Sequence, residues 1–528
     1  MPISRKVLAF VAFMAAARIG TAQGRVDLAR GRAEALSRAL VGMGAGEGAS
    51  CATTLLVEGH RVGELLSPDA RGLVLRGAAR PILEGAAFPA GERVWVHGPT
   101  DRSDELLSAV SRAIRYVRAT FQDPQFPRRP VDVVLGTPTL GASSLFWDED
   151  GRPAGILVAG SVQGEALTTA VLHQMLHLWQ LERPMPPVPP SWLEGTAVWL
   201  SESGANLAAR VTPSQNAREA AIDDVALLSS RATLPAFLVE GSPRGADLLV
   251  SLYAMLHDGR GFPESLEAVL AGADRGTAAG FALEHAVWLA MSGPRDNGKY
   301  FSFGKLLPPG RDRVVPDDGR MQIPVGAGGA TVAVVKPVAA EGGTWVTVSA
   351  PRSPDARSLR AAAIVRSVRG GLRIAAIPAT SEGTLSVGVP SRDVAEILVV
   401  AVNVGPLPAL VAVESRHDPV FPFVLSSFTV DPTDAGVMVR FTVSEEESLR
   451  GWRILRSTDP ARGFTSLSPI LIPGRGDARD PLTYVYLDDT ARAGTRYYYY
   501  LEAMSLAGFS EPSFMVSVTT PPAPPVPR

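Results

Sequence analysis

The chain of 528 residues contains one cysteine, Cys51, so no disulfide can form within it, and packed apolar cores must hold the fold together. Cys51 itself reads as a small buried hydrophobe. Histidine is also scarce, with seven in all, which lends weight to any two that fall close together. An excess of either charge is missing. Lys and Arg number 51 against 53 Asp and Glu, a formal net charge of −2, and that balance excludes a nucleic-acid footprint. Past the N-terminus, no apolar run is long enough to cross a bilayer as a helix. What the chain does have is length, too much for a single core, and it should divide into about three or four domains.

The N-terminus, MPISRKVLAFVAFMAAARIGTAQG, has a basic start at Arg5 and Lys6, a short apolar run from Val7 to Ala17, and small residues at Gly20 and Ala22. Residues 1–22 therefore read as a secretory signal peptide, with a secreted or periplasmic mature protein. Residues 23–90 are helical and then mixed in pattern, and fit a pro-region or an accessory segment. Gly44-Ala45-Gly46-Glu47-Gly48 lacks the Lys-Ser/Thr ending of a phosphate loop and carries no such function.

The chemistry concentrates between Thr168 and Glu202, TTAVLHQMLHLWQLERPMPPVPPSWLEGTAVWLSE. His173 and His177 stand four residues apart in an apolar run free of Pro and Gly, so a helix would place both imidazoles on one face. Prolines from Pro184 to Pro190 end that helix, and Ser191 can open a second one with Glu194 on its first turn. Two His and one Glu make the protein-ligand set of a zinc site with one position left open. Glu194 has a competing reading, since Ser191-Trp192-Leu193-Glu194 also spells a capping box. Trp179, Trp192 and Trp199 read as core anchors. In the H-E-x-x-H motif, the Glu after the first His is the general base, but here that position holds Gln174. An amide can orient a water but has no basicity near neutral pH.

HQMLH followed by WLEGTAVWLSE resembles the gluzincin clan of zinc metallopeptidases, in particular secreted bacterial members with a W-x-E-x-x-A-x-W third-ligand helix. The resemblance implies His173, His177 and Glu194 as zinc ligands and a catalytic Glu where this chain has Gln174. It also implies an α+β zincin-like metallopeptidase domain at residues 91–300. The local patterns run strand (RVWVH, Arg93–His97), helix (Asp101–Phe121), strand (Val131–Gly136), strand (Gly155–Gly160) and then the His helix, the order of a zincin N-terminal subdomain. In such a fold the last strand forms a free edge above the zinc and can hold an extended peptide. That makes Ile156, Leu157, Val158 and Ala159 the candidate substrate shelf, with an ordinary internal strand as the alternative. Helices are expected at 217–228, 245–256, 262–270 and 275–291, closing the far side of the cleft. Tyr253, His257 and His285 are the candidates there for stabilising an oxyanion, or are structural.

Residues Ser292–Asp318 form a connection. Residues 319–415 then change to short strands between Gly, Pro and Ser turns, the pattern of a β-sandwich. Residues 419–520 read as a second all-β sandwich. There GWRILRSTDPARGFTSL and YVYLDDTARAGTRYYYYLEAMSLAG resemble a bacterial fibronectin type III domain, with Tyr497 matching its corner tyrosine. Alternation puts Tyr497, Tyr499, Leu501 and Ala503 in the core and Tyr498, Tyr500 and Glu502 outside. Arg475-Gly476-Asp477 is a chance adhesion tripeptide, and residues 521–528 form a Pro-rich tail.

Two classes of function are open to such a chain. One is a zinc-binding peptidase homologue that is strongly impaired, a pseudopeptidase, or else an active enzyme whose missing base is replaced by Glu165, Glu182 or Glu202. The other is a binding protein that needs no metal and holds a peptide or, through the sandwiches, a cell-surface polymer.

Overall fold

The computed structural model describes residues 86–521, apart from 92, 139–141, 151, 222–226, 228–229, 274, 317–318, 340–341, 351–357, 378–383, 419–422, 447–448, 460–462, 469, 476–480, 506–509 and 514. The signal-like N-terminus, the accessory segment up to residue 85, Cys51, the last two residues of the adhesion tripeptide and residues 522–528 lie outside the described residues. The chain forms two compact units. One takes the chain through Ala217, Ile222–Val269 and Met291–Gly310; the other takes Arg218–Ala221, Leu270–Ala290 and everything from Arg311 onward.

The first unit is built on five strands, β1 (Ala86–Gly91), β2 (Val94–Gly98), β3 (Val131–Gly136), β4 (Ser143–Trp147) and β5 (Pro153–Ala159), in the order β1-β2-β3-β5-β4. β2, β3 and β5 run parallel, and the strands at both ends run antiparallel to them. A parallel pair needs a crossover, and α1 (Ser103–Thr120) supplies it between β2 and β3. Leu106, Ala109, Val110, Ala113 and Val117 recur at helical spacing on its buried face, and Asp104 and Glu105 sit favourably in its first turn.

β5 is not the edge. It is paired with β3 on one side and β4 on the other, so the backbone of Ile156, Leu157, Val158 and Ala159 is committed to the sheet. This corrects the expected shelf. Among the described residues β4 is the end strand on that side of the sheet, and its sequence SSLFW shows no alternation because its first four residues are all buried.

α2 (Gly164–Leu181) packs against α1, β4 and β5, and its second half is buried all round, the mark of a central helix. α3 (Pro190–Ser201) begins with Pro190 at its first position, where the missing N–H costs nothing, so the helix opens one residue before the Ser191 start. Its N-cap is Pro189, with no side-chain cap bond, and the Glu194 carboxylate lies 3.2 Å from His177 Nε2. α4 (Gly204–Asn216) and α5 (Thr233–Glu240) come next, and the apolar pattern marks neither. Of the expected helix at 217–228, residues 222–226 and 228 lie outside the described residues, and the described start, 217–220, is turn and bend instead, with Arg218–Ala221 in the second unit. α6 (Asp247–His257) and α7 (Phe262–Gly272) match their expected positions closely.

In the second unit, α8 (Ala278–Ala290) packs on a β-sandwich. Among the described residues its strands are β6 (Arg313–Val314), β7 (Arg320–Val325), β8 (Ala330–Val335), β9 (Gly343–Ser349), β10 (Leu359–Ser367), β11 (Leu372–Ala376), β12 (Leu385–Pro390), β13 (Val394–Asn403) and β14 (Ala409–Asp418). They form the sheets β11-β10-β13-β8-β6 and β12-β9-β14-β7, with one core of Val, Ile, Leu and Ala between them. Arg218–Ala221 is tied to the same unit, since Gly326 N donates to Glu219 O (2.7 Å) and Ala330 N to Arg218 O (2.8 Å).

A second sandwich ends the chain, with a three-stranded sheet of Phe423–Thr433, Gly436–Glu446 and Leu482–Asp488 facing a sheet centred on Leu449–Ser457 and Arg496–Ser505. Trp452 lies at its core, with Phe423, Phe441 and Tyr484 around it. The Tyr497 hydroxyl accepts a bond from the Arg492 backbone N–H (2.9 Å), and Gly494 between them takes a left-handed φ of 64° that a larger residue would resist. Tyr497, Tyr499, Leu501 and Ala503 face the core as alternation requires. Tyr500 departs from it, because Phe464 covers its ring at 4.9 Å and leaves it 7% exposed. Tyr498 is itself half-buried, with the Arg496 guanidinium over its ring, so neither tyrosine of the expected exposed pair is exposed.

Gly155 tests the register of the first sheet. A Cβ there would fall 2.2 Å from both the Asp132 carbonyl oxygen and Phe146 Cζ. Gly155→Ala should therefore cost about 2–3 kcal/mol as overpacking, read as a lowered urea midpoint. An unchanged midpoint would contradict the pairing of β5 between β3 and β4.

Candidate metal centre

α2 puts His173 and His177 on one face, and the Pro-rich turn after it brings the first turn of α3 back against that face. Glu194 arrives opposite the two imidazoles. His177 Nε2 lies 3.1 Å from His173 Nε2 and 3.2 Å from Glu194 Oε2, and His173 Nε2 lies 3.6 Å from Glu194 Oε1. All three residues are buried, and the group could hold a metal ion. A tetrahedral cation with bonds of about 2.1 Å requires ligand atoms about 3.4 Å apart. The three contacts straddle that value, those of the two rings to Glu194 falling on different oxygens of its carboxylate.

The next residues set the approach of the helices. A Cβ on Gly195 would meet the Arg231 carbonyl oxygen at 2.8 Å, so a glycine beside Glu194 lets α3 pack closely on the chain before α5. On the far side of the rings, His173 Nδ1 lies 3.3 Å from Ser201 Oγ, and His177 Nδ1 lies 2.9 Å from Gln180 Oε1. Gln180 Nε2 donates to the Leu193 carbonyl (3.2 Å) and to the Tyr253 hydroxyl (2.8 Å). The sequence pattern does not single out Gln180, Ser201, Thr196 or the supporting role of Tyr253. The one signal it offers is Gln180 itself, a polar residue in an otherwise apolar stretch, three positions after a ligand.

A cleft of about 760 Å³ opens over the group, lined by His173, Glu194, Ser143, Thr169, Glu165 and Glu202 among others. Glu202 is ion-paired with Arg210 at 3.5 Å on the same wall. His177 is 1% exposed and forms the inner corner. Gln174 is fully buried, and its amide nitrogen donates to Ser143 Oγ on the edge strand β4 (3.0 Å). The position of the general base therefore holds a neutral group tied to the sheet.

The other sequence candidates lie elsewhere. Glu182 accepts from the backbone N–H groups of Arg128 and Arg129, pairs with the Arg128 side chain at 3.5 Å and has its carboxyl raised by burial, so it braces the end of α2. Trp179 is a core anchor, stacked on Phe121 at 3.6 Å and bonded to Asp123 (3.0 Å), and Trp192 packs on Phe262. Trp199 is half-buried and lines a second cleft with Tyr116, Leu207 and Phe303. Tyr253 is buried behind α2, where desolvation pushes its phenol up to about 12. His257 is bonded to Arg183 and to the Gln180 carbonyl. Neither lines the cleft, and His285 stands on α8 in the second unit.

No protein family matches the chain, and no curated protein matches it either. Stretches of it are similar to solved structures. An Fn3-like protein from Clostridium thermocellum is 19% identical over 19% of this chain and 92% of that one, at a TM-score of 0.15. A beta-1,2-glucanase from Parabacteroides distasonis is 13% identical over 40% of this chain and 32% of that one, at 0.14. The chicken CNTN1 FN1-FN3 domains are 15% identical over 35% of this chain and 66% of theirs, also at 0.14. These likenesses are local and define no family for the chain.

His257 gives the core behind the site a pH dependence. Burial, then the neighbouring Arg183 charge, lowers its pKa to about 4, below the free imidazole value of 6.5. The unfolded chain takes up this proton first as pH falls. Stability from the neutral ring is complete above about pH 6.5 and is lost on the way down to about pH 4. The urea midpoint should drop across that window, and His257→Gln should flatten the drop; a parallel fall in both proteins would contradict the assignment.

Proposed function

We propose that this protein is a zinc-binding, gluzincin-like peptidase homologue, working outside the cytoplasm, whose hydrolytic step is lost or strongly impaired. The observation that carries the reading is the convergence of His173, His177 and Glu194, whose ligand atoms all lie within 4.8 Å of one another, with the two Nε2 atoms 3.1 Å apart and each facing one oxygen of the Glu194 carboxylate. Electron-rich atoms this close in a buried pocket need a proton or a cation between them, and three of them facing one point suit a cation. Imidazole and carboxylate donors in a three-plus-one arrangement suit zinc. When bound, zinc would supply Lewis acidity toward a carbonyl oxygen.

The chain's own residues limit the chemistry open to such a centre. Gln174 can donate or accept a hydrogen bond, but it cannot take the proton from an attacking water. The cleft runs along the end strand β4 through Ser143 and is long enough to take an extended segment beside the sheet. A peptide or protein segment is therefore the proposed ligand, and the two β-sandwiches are proposed as modules that hold a partner or surface polymer. A second reading keeps an active enzyme, because Glu165 and Glu202 line the same cleft as His173 and either could stand in as base. The Glu202–Arg210 ion pair argues against Glu202 in that role.

Metal analysis and peptide hydrolysis test this together. The purified protein should hold one zinc per chain, and His173→Ala, His177→Ala or Glu194→Ala should each abolish it. Wild type should cleave a peptide library near background, and Gln174→Glu should raise the rate about a hundredfold or more, since Ser143 can turn its hydroxyl to donate to the new carboxylate. Wild-type cleavage that vanishes in His173→Ala would establish the active-enzyme reading instead. Absence of zinc would end both.

A further inference from the structure

We propose that the second cleft of the first unit, beside Trp199, is a subsite for one cationic side chain, Lys or Arg, of the peptide segment that the metal cleft takes. The inference deepens the peptide-holding reading and rests on it for the link between the two clefts, though not for the charge of the group bound.

This cleft of about 620 Å³ lies wholly within the first unit, where α1, α3 and α5 end and α4 and α6 begin. Its apolar wall is aromatic. Tyr116 is 40% exposed and Trp199 is half-buried, so both offer ring surface to an occupant, while Phe303 is buried and stacked on Phe301 at 5.3 Å. Its polar wall carries one sign of charge. Glu202, Glu240 and Asp247 line it, and among the described residues no Lys, Arg or His does. The helix ends add to that sign, because each carries about half a unit charge, negative where a helix finishes and positive where one starts. Three helices finish at the cleft and two start there.

Each carboxylate has a local duty, and the duties leave negative charge over. Glu202 pairs with Arg210 at 3.5 Å, and Asp247 stands in the first turn of α6, where an acid offsets the helix N-terminus. Glu240 accepts from the Ser302 backbone N–H (2.7 Å) and hydroxyl (3.1 Å), but neither donor is charged, and as the last residue of α5 it sits where the helix dipole disfavours an acid. A neutral sugar could stack on the same rings and would leave that charge uncompensated. A cation is drawn by both walls, by the ring faces and by the carboxylates. The two clefts are also continuous. Glu202 lines both, and the neighbouring α3 residues Val198 and Trp199 line one each. A segment seated beside the metal can therefore send one of its side chains into the second cleft.

The test uses the full chain, with zinc chloride added or with metal stripped by chelator. Acetyl-arginine amide and its neutral isostere acetyl-citrulline amide are titrated while the indole resonance of Trp199, assigned by its loss in Trp199→Phe, is followed. Capped alanine pentapeptides carrying arginine or citrulline at each position in turn are titrated by calorimetry. Arginine amide should move the Trp199 resonance with and without zinc, and citrulline amide should not. One peptide position should favour arginine over citrulline by about tenfold. That preference should fall toward parity in about 1 M salt and in the double variant Glu240→Gln, Asp247→Asn. A Trp199 resonance that arginine amide leaves unmoved would overturn the proposal, as would equal affinity for arginine and citrulline at every position, or a preference that survives in the double variant. If the double variant fails to fold, the salt dependence in wild type decides, and a preference unchanged by salt overturns the proposal. Peptides that bind with no preference for charge would refute this inference and leave the peptide-holding reading standing. Arginine amide that moves Trp199 in a protein that binds no peptide would do the reverse.

Discussion

The constraint on which the first unit depends is electrostatic. Two imidazole nitrogens and a carboxylate are pressed to within 3.1–3.6 Å in a pocket where each residue is at most 8% exposed. A fold does not assemble such a group for packing, since apolar side chains of the same volume would be at least as stable there. The surrounding structure serves the convergence. α2 is central and buried, prolines turn the chain sharply into α3, and Gly195 removes the side chain that would hold α3 away from Arg231.

Around this centre, amides and hydroxyls occupy positions where carboxylates would raise the basicity of the ligands or accept protons. Gln174 is bonded to the edge strand, Gln180 to α3 and Tyr253, and Ser201 to His173. A bound divalent cation would be balanced by Glu194 alone within its ligand set. On the function proposed above, the site positions a cation and a ligand, and the neutral amide of Gln174 stands where that reading places the proton-moving group. The carboxylates that remain in the cleft, Glu165 and Glu202, stand on its walls.

Much of this is legible in the sequence because it depends on spacing. The four-residue interval of His173 and His177, the prolines after them and Glu194 beyond determine the convergence through helix geometry alone. The strands of the two sandwiches, and the core face of the Tyr497–Ala503 strand, come from alternation. Features set by tertiary contact are not legible. β4 is buried on both faces and so lacks a period, which shifts the expected edge to β5. Tyr500 is covered by Phe464 from a distant loop. Gln180 acquires its role only through Leu193 and Tyr253, the latter 73 residues away, and a lone glutamine in an apolar helix does not announce such partners.

Anomalous diffraction at the zinc absorption edge, from crystals grown with the metal, tests the central claim most directly. One peak per chain, bounded by Nε2 of His173, Nε2 of His177 and a Glu194 oxygen, is the result this account requires. A map with no peak among those atoms, or with the three side chains turned away from one another, would contradict it.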